Sequence, residues 1–144
     1  MRLFAIALAL LSLSSASAMA ETSDVLARLE AAEQRWTVAA LNTYEYTFTY
    51  RAFWSFDGCE NDTFRTQVVN GVALSGCEAL RQPFGTVPQL FAFIRNALAK
   101  KPDSLEVSFD PENGCPVSFR VDYKARVSDD GVYFEVTGFT HNGN

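Results

Sequence analysis

The sequence predicts an α+β domain: a single antiparallel β-sheet with two helices packed on one face, in the order α-β-β-β-α-β-β-β. Three observations predict it. Apolar residues recur at helical spacing in two segments, 23–41 and 86–101. Between and after them the period changes to two, the mark of half-buried strands. The links between alternating stretches are short and rich in Gly, Asn and Asp, and strands joined by short turns run antiparallel.

The first helix is read from Ser23 to Leu41. Ser23 or Asp24 can cap it, and Val25, Leu29, Ala32, Trp36 and Ala39 fall on one face. In the stretch YEYTFTYR, Tyr44, Tyr46, Phe48 and Tyr50 alternate with Glu45, Thr47, Thr49 and Arg51, giving one aromatic and one polar face. Phe64, Thr66 and Val68 continue the pattern in a second strand. Asn70-Gly71 then predicts a type I′ hairpin turn, because both residues tolerate positive φ, with a return strand over Val72–Ser75. Thr86 and Gln89 form a capping box around Pro88, and Leu90, Phe91, Ile94 and Leu98 make the buried stripe of the second helix. Lys100 and Lys101 suit its negative end, and Pro102 stops it. Three strands follow, marked by Leu105-Val107-Phe109, Val117-Phe119-Val121-Tyr123 and Val132-Phe134-Val136. Turns at Asp110–Gly114 and Ser128–Gly131 separate them.

The N-terminus carries a different pattern. Arg2 precedes the apolar run Leu3–Leu13, and small residues lead to Ala18-Met19-Ala20 before Glu21. This is the layout of a cleaved secretory signal over residues 1–20, with cleavage between Ala20 and Glu21, and its apolar run is too short to span a membrane. Residues 21–144 then form a single α+β domain. No cysteine stands at the cleavage point, so neither a lipid anchor nor a membrane span is expected in the mature chain. The formal net charge of −5 does not suit nucleic acid or anionic lipid.

Few catalytic constellations are on offer. Nucleophilic catalysis calls for a base, usually histidine, and the single histidine, His141, stands three residues from the end. Cys59, Cys77 and Cys115 lie far apart with no C-x-x-C, so no metal site is expected from them. There is no P-loop, no G-x-G-x-x-G and no basic-aromatic stripe, and no cofactor is indicated. Glu106 and Glu135 sit on the polar faces of strands, as do Arg120 and Asp122, an arrangement that reads as cross-strand ion pairing. Two of Glu45, Glu106, Asp122 and Glu135 converging in one deep cleft would instead suggest a hydrolase.

The cysteines read as structure. An exported chain meets an oxidising compartment, where a disulfide is expected. Pairing Val69 with Val72 across the turn places Cys77 opposite Phe64, at the same end of the hairpin as Cys59 in the loop SFDGCEND. A Cys59–Cys77 bridge follows, worth about 3 kcal/mol by loop entropy, with Cys115 as the free thiol. The turn that carries Cys115 can lie at that same end, which keeps Cys115 open as an alternative partner for Cys59 or Cys77.

Trp36, the series Leu41-x-x-Tyr44-x-Tyr46, a cysteine-bearing loop, Val69-Asn70-Gly71-Val72, the helix core LFAFI and VSFDPENGCPVSFRVDY follow in that order. Together, over about Arg35 to Phe139, they resemble a family of small bacterial exported proteins and lipoproteins catalogued as domain of unknown function 6174. The resemblance implies a small α+β domain and an envelope or secreted location. It implies no known activity, so it carries over no catalytic residues. The chain departs from the pattern in having a plain A-x-A site at Ala20 where many relatives are lipid-anchored. It departs again at Cys115, where the family shows an aromatic or aliphatic residue, which favours a buried, inert thiol.

The function that these observations favour is a non-enzymatic binding or accessory module, periplasmic or secreted, whose partner is an envelope protein, a peptide or a cell-wall component. Trp54 and Asp57, in or beside the loop Ser55–Asn61, are the expected recognition residues. A small exported hydrolase using strand carboxylates, or an inhibitor of a secreted enzyme, are the alternatives. The unreduced exported protein should show an intact mass beginning at Glu21 and short by the two hydrogens of one disulfide, with one thiol alkylated only after denaturation. Rapid alkylation of the native protein would mean an accessible cysteine instead.

Overall fold

The computed structural model describes residues 10–52, 59, 62–74, 77–127 and 129–142. The elements run α1 Leu10–Ala39, β1 Tyr44–Ala52, β2 Thr63–Val69, β3 Val72–Ala73, α2 Glu78–Phe84, α3 Val87–Ala99, β4 Ser104–Phe109, β5 Pro116–Asp122 and β6 Val132–His141. The strands form one antiparallel six-stranded sheet in the order β3-β2-β1-β6-β5-β4. The α+β class and the helix-covered sheet agree with the sequence reading. The helix count differs, three among the described residues rather than two.

Alternation in β1 does what the sequence implied. Tyr44, Tyr46, Phe48 and Tyr50 are all buried, while the residues between them are not. β1 lies inside the sheet, with β2 on one side and β6 on the other, Phe48 opposite both Phe64 and Val136. Asn70 at φ 50 and Gly71 at φ 78 make the turn between β2 and β3, and Val69 pairs with Val72 as expected. β3 is shorter than expected, because after Ala73 the chain leaves the ladder with one more hydrogen bond, from Leu74 N to Gln67 O.

The chain then enters α2, which the sequence reading missed. Its seven residues are too few for a periodic stripe, and Pro83 sits within them. Cys77 is therefore the residue that precedes α2 and not a strand residue opposite Phe64. The Cys59–Cys77 disulfide stands nonetheless, with Cα atoms 5.6 Å apart, and ties the start of α2 to the segment between β1 and β2. α3 opens with the capping box read from the sequence: Gln89 N donates to Thr86 Oγ1 and Thr86 N donates to Gln89 Oε1.

α1 begins at Leu10, earlier than Ser23, and passes through Ala20 and Glu21. No Gly or Pro interrupts residues 10–39, and Asp24 pairs with Arg28 one turn on rather than capping. Val25, Leu29, Ala32 and Trp36 face the core. Arg28 also donates to the carbonyl of Val107 on β4, tying the helix to that edge strand.

All three helices lie on the aromatic face. Phe84 stacks on Phe48, Phe93 meets Phe119 and Phe134, and Trp36 packs edge-on to Tyr44. Tyr46 Oη donates to Phe84 O at 3.1 Å, and Tyr44 Oη accepts from Val87 N at 3.0 Å. β6 extends to His141: with a register shift between Glu45 and Thr47 it pairs along β1 until His141 stands opposite Tyr44.

The turn between β4 and β5 seats α1. Asp110 Oδ1 accepts from Glu112 N and Asn113 N, and Asn113 Oδ1 accepts from Cys115 N. Gly114 sits at φ +81, and a Cβ there would stand 2.1 Å from Ala32 O. Gly114→Ala should therefore destabilise the protein by about 2 kcal/mol or more through both backbone strain and helix displacement, read as a lowered urea midpoint. Gly71→Ala, which meets nothing within 4 Å, serves as the control for positive φ alone.

Candidate functional site

The helices leave the opposite face of the sheet open. Sheet register places its side chains in rows. One row runs Thr63, Thr49, Glu135, Ser118, Ser108 across β2, β1, β6, β5 and β4. The next runs Arg51, Tyr133, Arg120, Glu106 across β1, β6, β5 and β4. The first row is small and largely uncharged. The second carries two arginines on either side of a tyrosine.

A groove of about 510 Å³ opens over that second row, lined among others by Arg51, Arg120, Asp122, Arg126, Val127 and Tyr133. The connection from β5 to β6 forms its far wall. That connection is fixed at its base by Lys100 Nζ, 5.3 Å from the centre of the Tyr123 ring, and by Ala125 N donating to Asp103 Oδ2. Lys124 N donates to Asp122 Oδ1, and Val127 N to Lys124 O. These bonds bring Arg126 and Val127, 47% exposed, to the groove.

Charge is distributed unevenly. The chain has 17 acidic and 12 basic residues, yet three arginines and one aspartate line this groove. Three arginines elsewhere have carboxylate partners: Arg65 binds both oxygens of Glu45 at 2.8 Å, Arg95 pairs with Glu33, and Arg28 with Asp24; Arg35 and Arg81, both half-buried, have none among the described residues. Among the described residues, Arg51, Arg120 and Arg126 have no carboxylate within ion-pair distance. Arg120 stands opposite Glu106 in the ladder but lies over the Tyr133 ring, 5.8 Å from its centre. The cross-strand pairing read from the sequence does not form at Arg120; the cross-strand pair that does form joins Glu45 to Arg65, outside that reading.

Tyr133 Oη donates to Glu135 Oε2 at 3.1 Å. Partial burial, that hydrogen bond and the Glu135 charge raise its pKa above the ordinary phenol value, against the opposing pull of Arg51 and Arg120. The phenol therefore stays neutral at physiological pH and adds no negative charge to the groove. Chemically, exposed guanidinium forks without partners are suited to carboxylate or phosphate oxygens, which they bind through paired N–H donors.

The four carboxylates considered from sequence do not converge. Glu45 is held by Arg65, Glu135 by Tyr133, Glu106 lies on edge strand β4, and only Asp122 lines the groove. Cys115 is buried and free, its thiol pushed up to about 12 by burial and by the Asp110 charge, so it is a poor nucleophile. Trp54 and Asp57 lie outside the described residues. Sequence reading missed Arg51, Arg126 and Tyr133 as a group. Arg51 was legible as the end of a polar strand face, but nothing local shows that β1 pairs with the last strand.

Glu135→Gln should lower the Tyr133 titration midpoint toward that of an ordinary phenol, because it replaces a charged acceptor by a neutral one. Phenolate absorbance or ring resonances of Tyr133, compared with a Tyr133→Phe control, measure the shift.

A family of unknown function (DUF6174) matches residues 28–141, a span that holds β1 to β6, α2 and α3 and every residue of the groove. No curated protein matches the chain, and no solved structure does. By that match, the chain belongs to the DUF6174 family.

Proposed function

We propose that the protein is an exported, non-enzymatic binding module whose open sheet face captures a partner bearing carboxylate or phosphate groups. The observation that carries this reading is three exposed arginines lining one groove with Tyr133, none with a carboxylate partner among the described residues, in an otherwise acidic chain. Exposed guanidinium groups without carboxylate partners can take up an anionic ligand through paired N–H donors. The groove falls in the size range of small-molecule and peptide sites. The hydrolase alternative needs two carboxylates in one cleft, and only Asp122 lines this one.

Export is supported on two grounds. The signal layout ends at Ala20-Glu21, and the buried α1 side chains that anchor the helix, Val25, Leu29, Ala32 and Trp36, all follow that point. Cleavage there would leave the described core contacts of α1 in place. The Cys59–Cys77 disulfide suits an oxidising compartment. No described helix is long and apolar enough to cross a membrane.

The test is binding of poly-glutamate and of inorganic phosphate to the chain from Glu21 onward, by calorimetry at several salt concentrations. The expected result is salt-sensitive binding that weakens about ten-fold or more in the Arg51→Ala, Arg120→Ala double variant, with an unchanged melting temperature. Equal affinity in the double variant would remove the groove from consideration.

A further inference from the structure

We infer that the groove's ligand is amphoteric: a short extended peptide that sets a carboxylate against the arginines and an ammonium against Asp122. The inference rests on the anion-binding reading above and deepens it by naming the ligand class. Arg120 and Asp122 stand two residues apart on β5, so their side chains leave the same face about 7 Å apart. Opposite charges at that spacing could close on each other, yet no ion pair joins them. Asp122 uses Oδ1 to accept from Lys124 N and has no further hydrogen bond among the described residues. The groove therefore presents both signs of charge at a fixed separation, each available to a ligand.

That pattern discriminates. A wholly anionic chain would bring negative charge against Asp122 in the same groove, and a single phosphate would fill a small part of about 510 Å³. An extended peptide repeats its side chains on one face at the same spacing as β5 itself. A lysine and a glutamate two residues apart would meet Asp122 and Arg120 together, and the residue between them would turn away from the sheet. Arg51, one row position beyond Tyr133, and Arg126, on the β5–β6 connection, supply further donors for the carboxylate end. Val127 offers an exposed apolar wall for the methylenes of the ligand.

Two end-blocked peptides test this, acetyl-Lys-Ala-Glu-amide and acetyl-Glu-Ala-Glu-amide, titrated into the chain from Glu21 onward and followed by calorimetry or amide chemical shifts. The amphoteric peptide should bind about three- to five-fold more tightly than the diacidic one. Asp122→Asn should erase or invert that preference, and Arg120→Ala should weaken both peptides. If the diacidic peptide binds as tightly or more tightly to the unaltered chain, or Asp122→Asn leaves the preference unchanged, the amphoteric ligand is refuted while the arginine groove stands. If neither peptide, nor poly-glutamate, nor inorganic phosphate binds, or their binding ignores Arg51→Ala and Arg120→Ala, the anion-binding reading falls as well. Melting temperatures of the variants separate loss of fold from loss of binding.

Discussion

Two phenol groups hold the corner between α2 and α3 to the sheet. A helix leaves its first N–H and its last carbonyl groups without internal partners, and the corner between α2 and α3 is buried, with Phe84 and Val87 both inside. Tyr46 donates to the last residue of α2 and Tyr44 accepts from the first of α3. Either group left alone in that position costs about 1–3 kcal/mol. Burial raises both phenols well above their usual pKa, Tyr44 to about 12, so they remain neutral hydrogen-bonding groups throughout the physiological range. Since both tyrosines belong to β1, the corner's place is set by an interior strand of the sheet, and the aromatic packing around Phe48, Phe84 and Phe93 follows from it.

One-sided coverage has a functional corollary. A sheet packed on both faces has no room for polar rows, whereas this one presents threonine, serine and charged side chains across β2, β1, β6, β5 and β4. β1 comes early in the chain and β5 and β6 come late, so the row from Arg51 to Arg120 exists only when the ends of the fold meet. The groove is thus a product of topology, and a chain that formed its local hairpins without closing β1 onto β6 would not possess it.

Local chemistry was legible and long-range pairing was not. The alternation in YEYTFTYR, the Asn70-Gly71 turn and the Thr86–Gln89 capping box each act within a few residues, so each can be read where it stands. The Cys59–Cys77 bridge was legible for a partly mistaken reason: Cys77 precedes a helix that the sequence hides behind Pro83. The start of α1 was placed too late because polar Ser23 and Asp24 mimic a cap, while the helix-compatible residues before them continue the turn. The arginine groove was out of reach for a different reason. Arg51, Arg120 and Arg126 are each unremarkable surface cations, and only the register between β1 and β6 makes them neighbours.

The edge of the sheet at β4 shows how such a face stays usable. Edge strands invite pairing with other chains, which in an aromatic-rich protein is a route to fibrils. Arg28 reaches from α1 to the Val107 carbonyl in the middle of β4, and Asp24 holds that guanidinium in place. A strand arriving from a second molecule would have to displace a charged, tethered group before its first hydrogen bond there. The helix that completes the core therefore also obstructs strand pairing at this edge of the sheet.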